Sequence, residues 1–181
     1  MRSDALLAFV PIGGNLSIVA AAGVAVASNV IDLLGLGQGL APTNIIGNAT
    51  LFGMDPGIGG PRPEINCVVG TAFTNGTGTP SLNVQLQYAP DLGTPSYLPG
   101  TWVTIAETGE LLIASLAANT VIARFPWLPA VPASARPRYV RLNFHVLAAT
   151  NFAAGTIASA IVTFVRDDQA NKYVTKNYTV A

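Results

Sequence analysis

Three arginines lie close together at the start of a predicted strand, in the segment Arg136-Pro-Arg-Tyr-Val-Arg141. Guanidinium groups form paired hydrogen bonds with carboxylates, so Arg136, Arg138 and Arg141 could bind a partner that carries acidic groups. The alternative is a solvated strand edge whose charges prevent aggregation. Arginine is scarce elsewhere in the chain, and the sequence leaves both interpretations open. The three residues are therefore candidate interface residues.

Few other residues could support catalysis or metal binding. His145 is the only histidine and Cys67 the only cysteine, which excludes a multi-histidine metal site, a cysteine-based metal site and an intramolecular disulfide. A Ser-His-Asp triad would need His145, but no serine lies in a nucleophile elbow. A polar residue on the outer face of a strand is the better interpretation of this histidine. Cys67 lies in the apolar run 65–69 and is expected to be buried as a small hydrophobic residue.

The acidic residues and the glycine-rich segments do not indicate catalysis either. Glu107, Glu110, Asp167 and Asp168 are neighbouring acids, but their spacing alone does not pair two carboxylates across a cleft, as a glycosidase requires. Residues 35–40 approach a phosphate-binding glycine loop, yet the third glycine is missing and no helix can follow it. We therefore predict that the protein is not an enzyme and uses no metal or other cofactor.

The composition indicates a surface that is partly covered by a partner. Only 10% of the 181 residues are charged, where about 25% is usual, and nine basic residues balance nine acidic ones. Hydrophobic residues make up 50% of the chain, and its mean hydropathy is +0.47. The zero net charge excludes nucleic-acid binding by phosphate neutralisation, and no window offers the roughly 18 uninterrupted apolar residues of a membrane helix. A soluble monomer normally carries more surface charge than this.

The elements that would position these residues are β-strands. Residues 82–88 alternate between apolar side chains on one face and amides on the other, and residues 139–147 place Arg141, Asn143 and His145 together on one face. Further strands are predicted at residues 65–73, 101–106, 121–125 and 157–165, of which 65–73 is apolar enough to be buried on both faces. The candidate helical turn lies at 107–116, and an Asn-Gly signal predicts a hairpin loop at 74–80.

This pattern predicts an all-β fold, an antiparallel β-sandwich that is jelly-roll-like, with extended N- and C-terminal arms. Residues 1–27 are predicted to be an N-terminal arm that could include a first strand, residues 28–166 a jelly-roll-like β-domain, and residues 167–181 a polar C-terminal tail. The first region partly imitates a secretory signal, but Asp4 and the break at 11–15 favour an arm. The tail is either a flexible terminus or an arm that lies on a neighbour.

Six short segments follow one another in an order that carries a family resemblance. They are Ser28-Asn-Val-Ile-Asp-Leu33, Thr71-Ala-Phe-Thr-Asn-Gly-Thr77, Leu82-Asn-Val-Gln-Leu-Gln87, Ala123-Arg-Phe-Pro126, Arg138-Tyr-Val-Arg-Leu-Asn143 and Asn151-Phe-Ala-Ala-Gly-Thr156. This series, which spans roughly residues 28–165, resembles the capsid cement (decoration) protein family of tailed bacteriophages. The resemblance implies a jelly-roll-like domain that binds the outside of an assembled shell at symmetry axes, as a homo-oligomer.

The resemblance makes a structural virion protein on the outer capsid surface the expected function. Its partners would be the major capsid protein and copies of itself, with no nucleic acid and no membrane. Such a protein stabilises a shell because it binds assembled capsid and not free subunits, and repetition around a symmetry axis adds avidity. The arm, the tail and the arginine segment are the expected contributors. The candidate interface residues are Arg136, Arg138, Arg141, Asp167, Asp168, Tyr173 and Tyr178.

A carbohydrate-binding or adhesin β-sandwich module is the alternative function. Sugar sites of this kind need exposed aromatic side chains, so the exposure of Tyr97, Trp102 and Trp127 discriminates between the two functions. Trp127 lies in the segment Phe125-Pro-Trp-Leu-Pro129 and is the best candidate, although a tryptophan that plugs a loop against the core is the competing interpretation.

Overall fold

The computed structural model describes residues 8–19, 23–32, 63–92, 98–126, 138–147 and 149–164, and these residues form twelve β-strands. In chain order the strands are β1 Ala8–Val10, β2 Leu16–Ser17, β3 Ala25–Ala27, β4 Ile31–Asp32, β5 Pro63–Val69, β6 Thr74–Thr77, β7 Ser81–Ala89, β8 Val103–Leu112, β9 Val121–Pro126, β10 Tyr139–Val146, β11 Asn151–Ala154 and β12 Thr156–Phe164. A 3-10 turn at Ile113–Ser115 follows β8. The predicted all-β fold is confirmed.

Ten of the strands form two antiparallel sheets of five strands each. Sheet A has the order β1-β12-β5-β9, with β2 also paired to β12. Sheet B has the order β3-β10-β7-β8, with β4 also paired to β10. The two remaining strands, β6 and β11, pair with each other at one end of the sandwich. β12 and β5 lie in the middle of sheet A, and β10 and β7 in the middle of sheet B, where the ten-residue strand β8 forms one edge.

The two sheets pack face to face around one hydrophobic core. Leu82, Val84 and Leu86 of β7 alternate with the amides of the same strand and are at most 1% exposed. Leu142 and Phe144 of β10 are likewise fully buried. Sheet A contributes Ile65, Cys67, Val69, Phe125, Ile157 and Val162 to the same cluster. The predicted alternation of β7 and β10 is therefore confirmed, and its apolar half forms the interior of the sandwich.

Most connections between strands cross from one sheet to the other. The chain changes sheet between β2 and β3, β4 and β5, β5 and β7, β8 and β9, β9 and β10, and β10 and β12, whereas β7 and β8 are neighbours within sheet B. The antiparallel sandwich is confirmed. Its strand order is consistent with a jelly roll, in which two Greek keys wrap around one core.

Part of the region predicted as an N-terminal arm lies within the sandwich. β1 and β2 pair with β12 in sheet A, and β3 pairs with β10 in sheet B. Phe9 and Ile18 are 1% and 0% exposed, so they belong to the core. The described part of residues 1–27 is therefore sandwich rather than arm. The tail predicted at residues 167–181 lies outside the described residues.

The helical turn predicted at residues 107–116 is wrong for most of its length, because β8 continues to Leu112. The strand is bulged, since β8 carries one more residue between Glu107 and Glu110 than the segment of β7 that faces it. Gly109 lies in this bulge with φ of +72°, a conformation that glycine adopts without steric cost. The bulge shifts the two-residue alternation, and this shift produced the helix-like pattern.

The hairpin loop predicted at residues 74–80 is wrong in its first half, which forms β6 and pairs with β11. The backbone N–H of Thr77 donates to Asn151 Oδ1 at 2.9 Å. A Cβ on Gly76 would lie 2.8 Å from the carbonyl oxygen of Asn151. The glycine of the Asn-Gly pair therefore permits a close approach between two strands instead of a tight turn.

The strand predicted to be buried on both faces, β5, is buried on one. Ile65, Cys67 and Val69 are 0% exposed, whereas Asn66 and Val68 are half-buried. β5 lies in the middle of sheet A, so one of its faces covers the core and the other belongs to the outer surface. The apolar character of this segment thus extends to the outside of the molecule.

Candidate binding surfaces

Arg138 lies inside the protein, where β10 begins at the end of sheet B. Its side chain is 4% exposed, and its Nε and Nη2 atoms donate to the two carboxylate oxygens of Asp32 at 3.2 and 3.0 Å. It also forms an ion pair with Asp91 and lies 5.0 Å from the ring centre of Tyr139. The hydrogen bond to Asp32 raises the pKa of Arg138, and burial raises the pKa of Tyr139.

This position argues against Arg138 as an interface residue. Arg138 lies just before β10, and its guanidinium binds Asp32 at the end of β4 and Asp91 in the segment after β7. Its donors are directed to carboxylates of the same chain, and its side chain does not reach the surface. Its side chain therefore links three chain segments of the sandwich.

Arg141 lies on the outer face of sheet B and stays partly accessible. Its Nε donates to Gln87 Oε1 at 3.0 Å, and its guanidinium lies 4.1 Å from the ring centre of Trp102. Burial lowers the pKa of Arg141. Arg141 and Trp102 are both half-buried, so the stacked pair forms part of the surface.

The other five candidate interface residues are Arg136, Asp167, Asp168, Tyr173 and Tyr178, and all of them lie outside the described residues. The structure places two residues of the predicted set. It directs one of them, Arg138, to carboxylates at the end of sheet B, and the other, Arg141, to a polar network on its outer face. The expected common surface of these two arginines is therefore not formed.

The outer face of sheet B carries a network of amide side chains, which we call the amide face: Asn83, Gln85, Gln87 and Asn143. Gln85 Oε1 accepts hydrogen bonds from Asn143 Nδ2 at 2.8 Å and from Gln87 Nε2 at 3.2 Å. Asn83 Nδ2 donates to Glu107 Oε2 at 2.9 Å. These bonds hold the side chains in defined orientations, so the face is ordered, polar and mostly uncharged.

A hollow of about 230 Å³ lies at one end of the amide face, and we call it the polar hollow. Ser81 lines it with an Oγ that has no hydrogen-bond partner in the described part of the chain, although the residue is 2% exposed. Glu110 and His145 also line it, and their side chains form no hydrogen bond or ion pair among the described residues. The other described residues that line it are Asn83, Gln85 and Leu147.

The outer face of sheet A carries a larger hollow of about 380 Å³, which we call the apolar hollow. Ile12 and Val121 are 69% and 41% exposed at its rim, whereas Ile161 is 5% exposed. Arg124 is exposed and has no ion pair among the described residues. The other described residues that line it are Asn66, Val68, Ser159 and Thr163. Exposed aliphatic side chains grouped in this way are typical of a surface that binds another protein.

The described residues offer no arrangement that would bind a metal ion, since no three His, Cys, Asp or Glu side chains come together. Cys67 is fully buried, and burial raises the pKa of its thiol to about 12. The thiol is therefore neutral at physiological pH and packs as a small hydrophobic group, as predicted. In the same part of the chain, no helix has the length and apolar character that a membrane crossing requires.

Sequence reasoning missed the residues that define the two hollows. Ser81 stands just before a predicted strand, Ile12 lies in a predicted break, and Val121 is one of many aliphatic strand residues. Whether such a side chain is covered, exposed or unpartnered depends on strands that are distant in the sequence. Alternation along the chain did place Asn83, Gln85 and His145 on outer faces, and these three residues line the polar hollow.

No protein-family model and no curated protein matches this chain. A function for it therefore rests on its own fold and surfaces.

Proposed function

We propose that the protein is a capsid cement (decoration) protein of a tailed bacteriophage. It would bind the major capsid protein on the outer surface of the assembled virion shell, as a homo-oligomer. The observation that carries the proposal is the apolar hollow on sheet A, where Ile12 and Val121 are exposed. On the described part of this outer face, the charged residues are Glu64 and Arg124. The low charge of the whole chain supports the same proposal.

The apolar hollow has the properties of a surface that is covered in an assembly. Transfer of Ile12 and Val121 from water into a protein contact is favourable by about 25 cal/mol per Å² of apolar surface. Arg124 at the rim can form paired hydrogen bonds with a carboxylate of the shell, which adds orientation to a non-directional contact. The affinity of each contact would be modest, and a homo-oligomer at a symmetry axis increases the overall affinity through avidity.

Binding of this kind stabilises a shell by mass action. A protein that binds assembled capsid and not free subunits shifts the equilibrium towards the closed particle. The sandwich needs no chemical step for this function. It needs a rigid core, which the two packed sheets supply, and an outer face that is complementary to the shell.

Two substitutions at equally exposed positions test the docking face. Ile12 is 69% exposed in the apolar hollow, and Leu92 is 67% exposed in the segment after β7. We expect Ile12→Asp to abolish co-sedimentation with empty shells of the phage and Leu92→Asp to co-sediment as the wild type does. Co-sedimentation of Ile12→Asp at the wild-type level would contradict the assignment, and so would an equal loss in both variants.

The terminal arms are a second part of the proposal, and a deletion that tests them must leave the strands of sheet A intact. Because β1 and β2 belong to sheet A, a deletion up to residue 20 would remove two of its strands. The appropriate deletion removes residues 1–7 and 167–181 together. Unchanged shell binding and unchanged heat resistance of the shell would show that the arms do not contribute.

The carbohydrate-binding alternative depended on exposed aromatic side chains. Trp102 is half-buried, and the guanidinium of Arg141 covers one face of its ring. Tyr97 and Trp127 lie outside the described residues. Of these three aromatic side chains, the described part of the chain therefore offers only Trp102, and that ring is not fully exposed. The apolar hollow and the low charge favour the cement function over an aromatic sugar platform.

A further inference from the structure

Ser81 has a buried hydroxyl group with no hydrogen-bond partner in the described part of the chain. Ser81 is 2% exposed, and its backbone carbonyl accepts a hydrogen bond from the backbone N–H of Leu147 at 3.2 Å. A buried polar group without a hydrogen bond is destabilising, and alanine would occupy the same strand position without this cost. Because Ser81 is one of the residues that line the polar hollow, a molecule bound there would lie next to this hydroxyl and could supply the missing hydrogen bond.

Three polar side chains stand in a row across sheet B beside Ser81. Asn83 of β7 faces Glu110 on β8 and His145 on β10. Neighbouring strands lie about 4.8 Å apart, so the backbone positions that carry Glu110 and His145 are separated by about 10 Å. Both side chains line the hollow and have no hydrogen bond or ion pair within the described residues. A small molecule between them could contact both.

The charge of the polar hollow excludes one class of ligand. Glu110 lines it, and Glu107 lies beside it through the hydrogen bond to Asn83. Among the described residues that line the hollow there is no arginine or lysine. An anion would therefore meet carboxylate charge without a compensating cation.

The hydrogen-bonding groups favour hydroxyls over a simple cation. A cation could bind Glu110, but it would leave the N–H group of His145 and the hydroxyl proton of Ser81 without an acceptor. A hydroxyl group both donates and accepts. A ligand with several hydroxyls can therefore satisfy the carboxylate, the imidazole and the Ser81 hydroxyl together.

The size of the polar hollow limits the ligand to one ring. Its volume of about 230 Å³ corresponds to roughly seven or eight water molecules at about 30 Å³ each, which is sufficient for a monosaccharide. Leu147, at 37% exposure, offers an apolar contact for the C–H face of the ring. We propose that the polar hollow binds one neutral sugar ring through Ser81, Glu110 and His145.

The proposed site lies on sheet B, on the other side of the sandwich from the apolar hollow, and does not depend on the cement function. Trp102 stands at the far end of the amide face, beside Arg141, so the described lining of the polar hollow contains no aromatic side chain. A single ring should therefore bind weakly, with a Kd in about the millimolar range. Repetition of the site in an oligomer would strengthen binding to a polysaccharide.

Titration of the full chain, followed by its backbone amide NMR signals, tests the proposal without any shell. The neutral probes are the methyl glycosides of glucose, galactose, mannose and N-acetylglucosamine, and the charged probes are sialic acid and methylamine. We expect at least one neutral glycoside to cause saturable shifts at Leu82, Glu110 and Leu147, and neither charged probe to do so. Retention on beads that carry a polysaccharide of the same sugar distinguishes a surface glycan from a free sugar.

Two serine variants provide the matched comparison. Ser81→Ala should weaken binding of the neutral glycoside about tenfold or more, because about 1.4 kcal/mol of hydrogen-bond energy is a factor of ten in Kd. Its thermal stability should equal or exceed that of the wild type, since the removed hydroxyl has no hydrogen-bond partner among the described residues. Ser159→Ala, on the outer face of sheet A, should bind the glycoside as the wild type does. Glu110→Gln, at an exposed position, should also weaken binding.

Three results would overturn the proposal. The first is the absence of saturable shifts with every neutral glycoside and of retention on every polysaccharide. The second is stronger binding of sialic acid or methylamine at the same signals. The third is wild-type affinity in both Ser81→Ala and Glu110→Gln.

Discussion

Replacement of Arg138 by methionine should lower the free energy of unfolding by about 3 kcal/mol. The guanidinium is 4% exposed and pairs with Asp32 and Asp91, so its removal takes one ion-pair partner away from each of two carboxylates. Loss of one partner from a buried ion pair costs about 3–5 kcal/mol. The two carboxylate side chains keep 19% and 24% of their exposure, which lets water solvate them in part. The expected loss is therefore at the lower end of the range.

Urea unfolding of five variants, the matched control included, measures this effect. Arg138→Lys keeps the charge but loses the fork that binds both oxygens of Asp32, so it should recover less than half of the lost stability. A cycle of Arg138→Met and Asp32→Asn should give a coupling energy of about 1.5–3 kcal/mol. The matched control is Arg124→Met, an exposed arginine without an ion pair among the described residues, which should change stability by less than about 0.5 kcal/mol.

Two results would refute the reasoning about Arg138. One is a loss of stability no greater than that of Arg124→Met, together with a coupling energy near zero to Asp32. The other is a stable Arg138→Met protein that no longer binds shells, because that result would return Arg138 to the interface. A folded Arg138→Met variant with wild-type shell binding is the expected outcome.

Three further predictions concern the core. Burial raises the pKa of Cys67 from 9.0 to about 12, so the folded state keeps a proton that the unfolded chain releases, and this part of the stability is lost as pH rises above about 9. Between about pH 8 and about pH 10.5 the wild type should therefore lose about 2 kcal/mol more than Cys67→Ala in urea unfolding. Equal losses in the two proteins would contradict the burial. Gly155→Ala would place a Cβ against the ring of Phe73 and should cost about 1–3 kcal/mol, which an unchanged Tm would disprove. Leu86→Ala, at 1% exposure, should cost about 2–5 kcal/mol, whereas Leu92→Ala, at 67% exposure, should have little effect.

Strands with an undisturbed alternation could be predicted from the sequence. Residues 82–88 and 139–147 follow a two-residue period, and both lie in the middle of sheet B, where one face meets the core and the other carries the amide face. The bulge at Gly109 interrupts the same period in β8, and the prediction of a helical turn failed there. Local patterns thus reveal a strand as long as its register with the neighbouring strand is regular.

Pairings between distant segments could not be predicted. β6 was mistaken for a loop because its partner, β11, begins at Asn151, and nothing near Asn75-Gly76 in the sequence indicates that a second strand approaches. The failure at Arg138 has the same cause. Its guanidinium is directed inward by Asp32 and Asp91, which lie 106 and 47 residues away in the sequence.

The residues of the candidate binding surfaces were likewise predictable only in part. The outward positions of the amides of β7 and of His145 follow from alternation. Whether the hydroxyl of Ser81 has a partner and whether the side chain of Ile12 is exposed depend instead on neighbouring strands. Composition supplied a different kind of information, since a chain with 10% charged residues implies that some surface is covered. It did not indicate which face, and the apolar hollow, where Ile12 and Val121 are exposed, is what suggests the outer face of sheet A.

The most direct test of the proposed cement function is the copy number of the protein on empty shells of a tailed phage. The purified chain is mixed with shells, the shells are sedimented, and the ratio of this protein to the major capsid protein is measured as its concentration increases. The proposal predicts saturation at a fixed ratio set by the symmetry axes, together with an increase in the temperature at which the shells disrupt. Protein that stays in the supernatant at every concentration, with no change in that temperature, would contradict the proposed function.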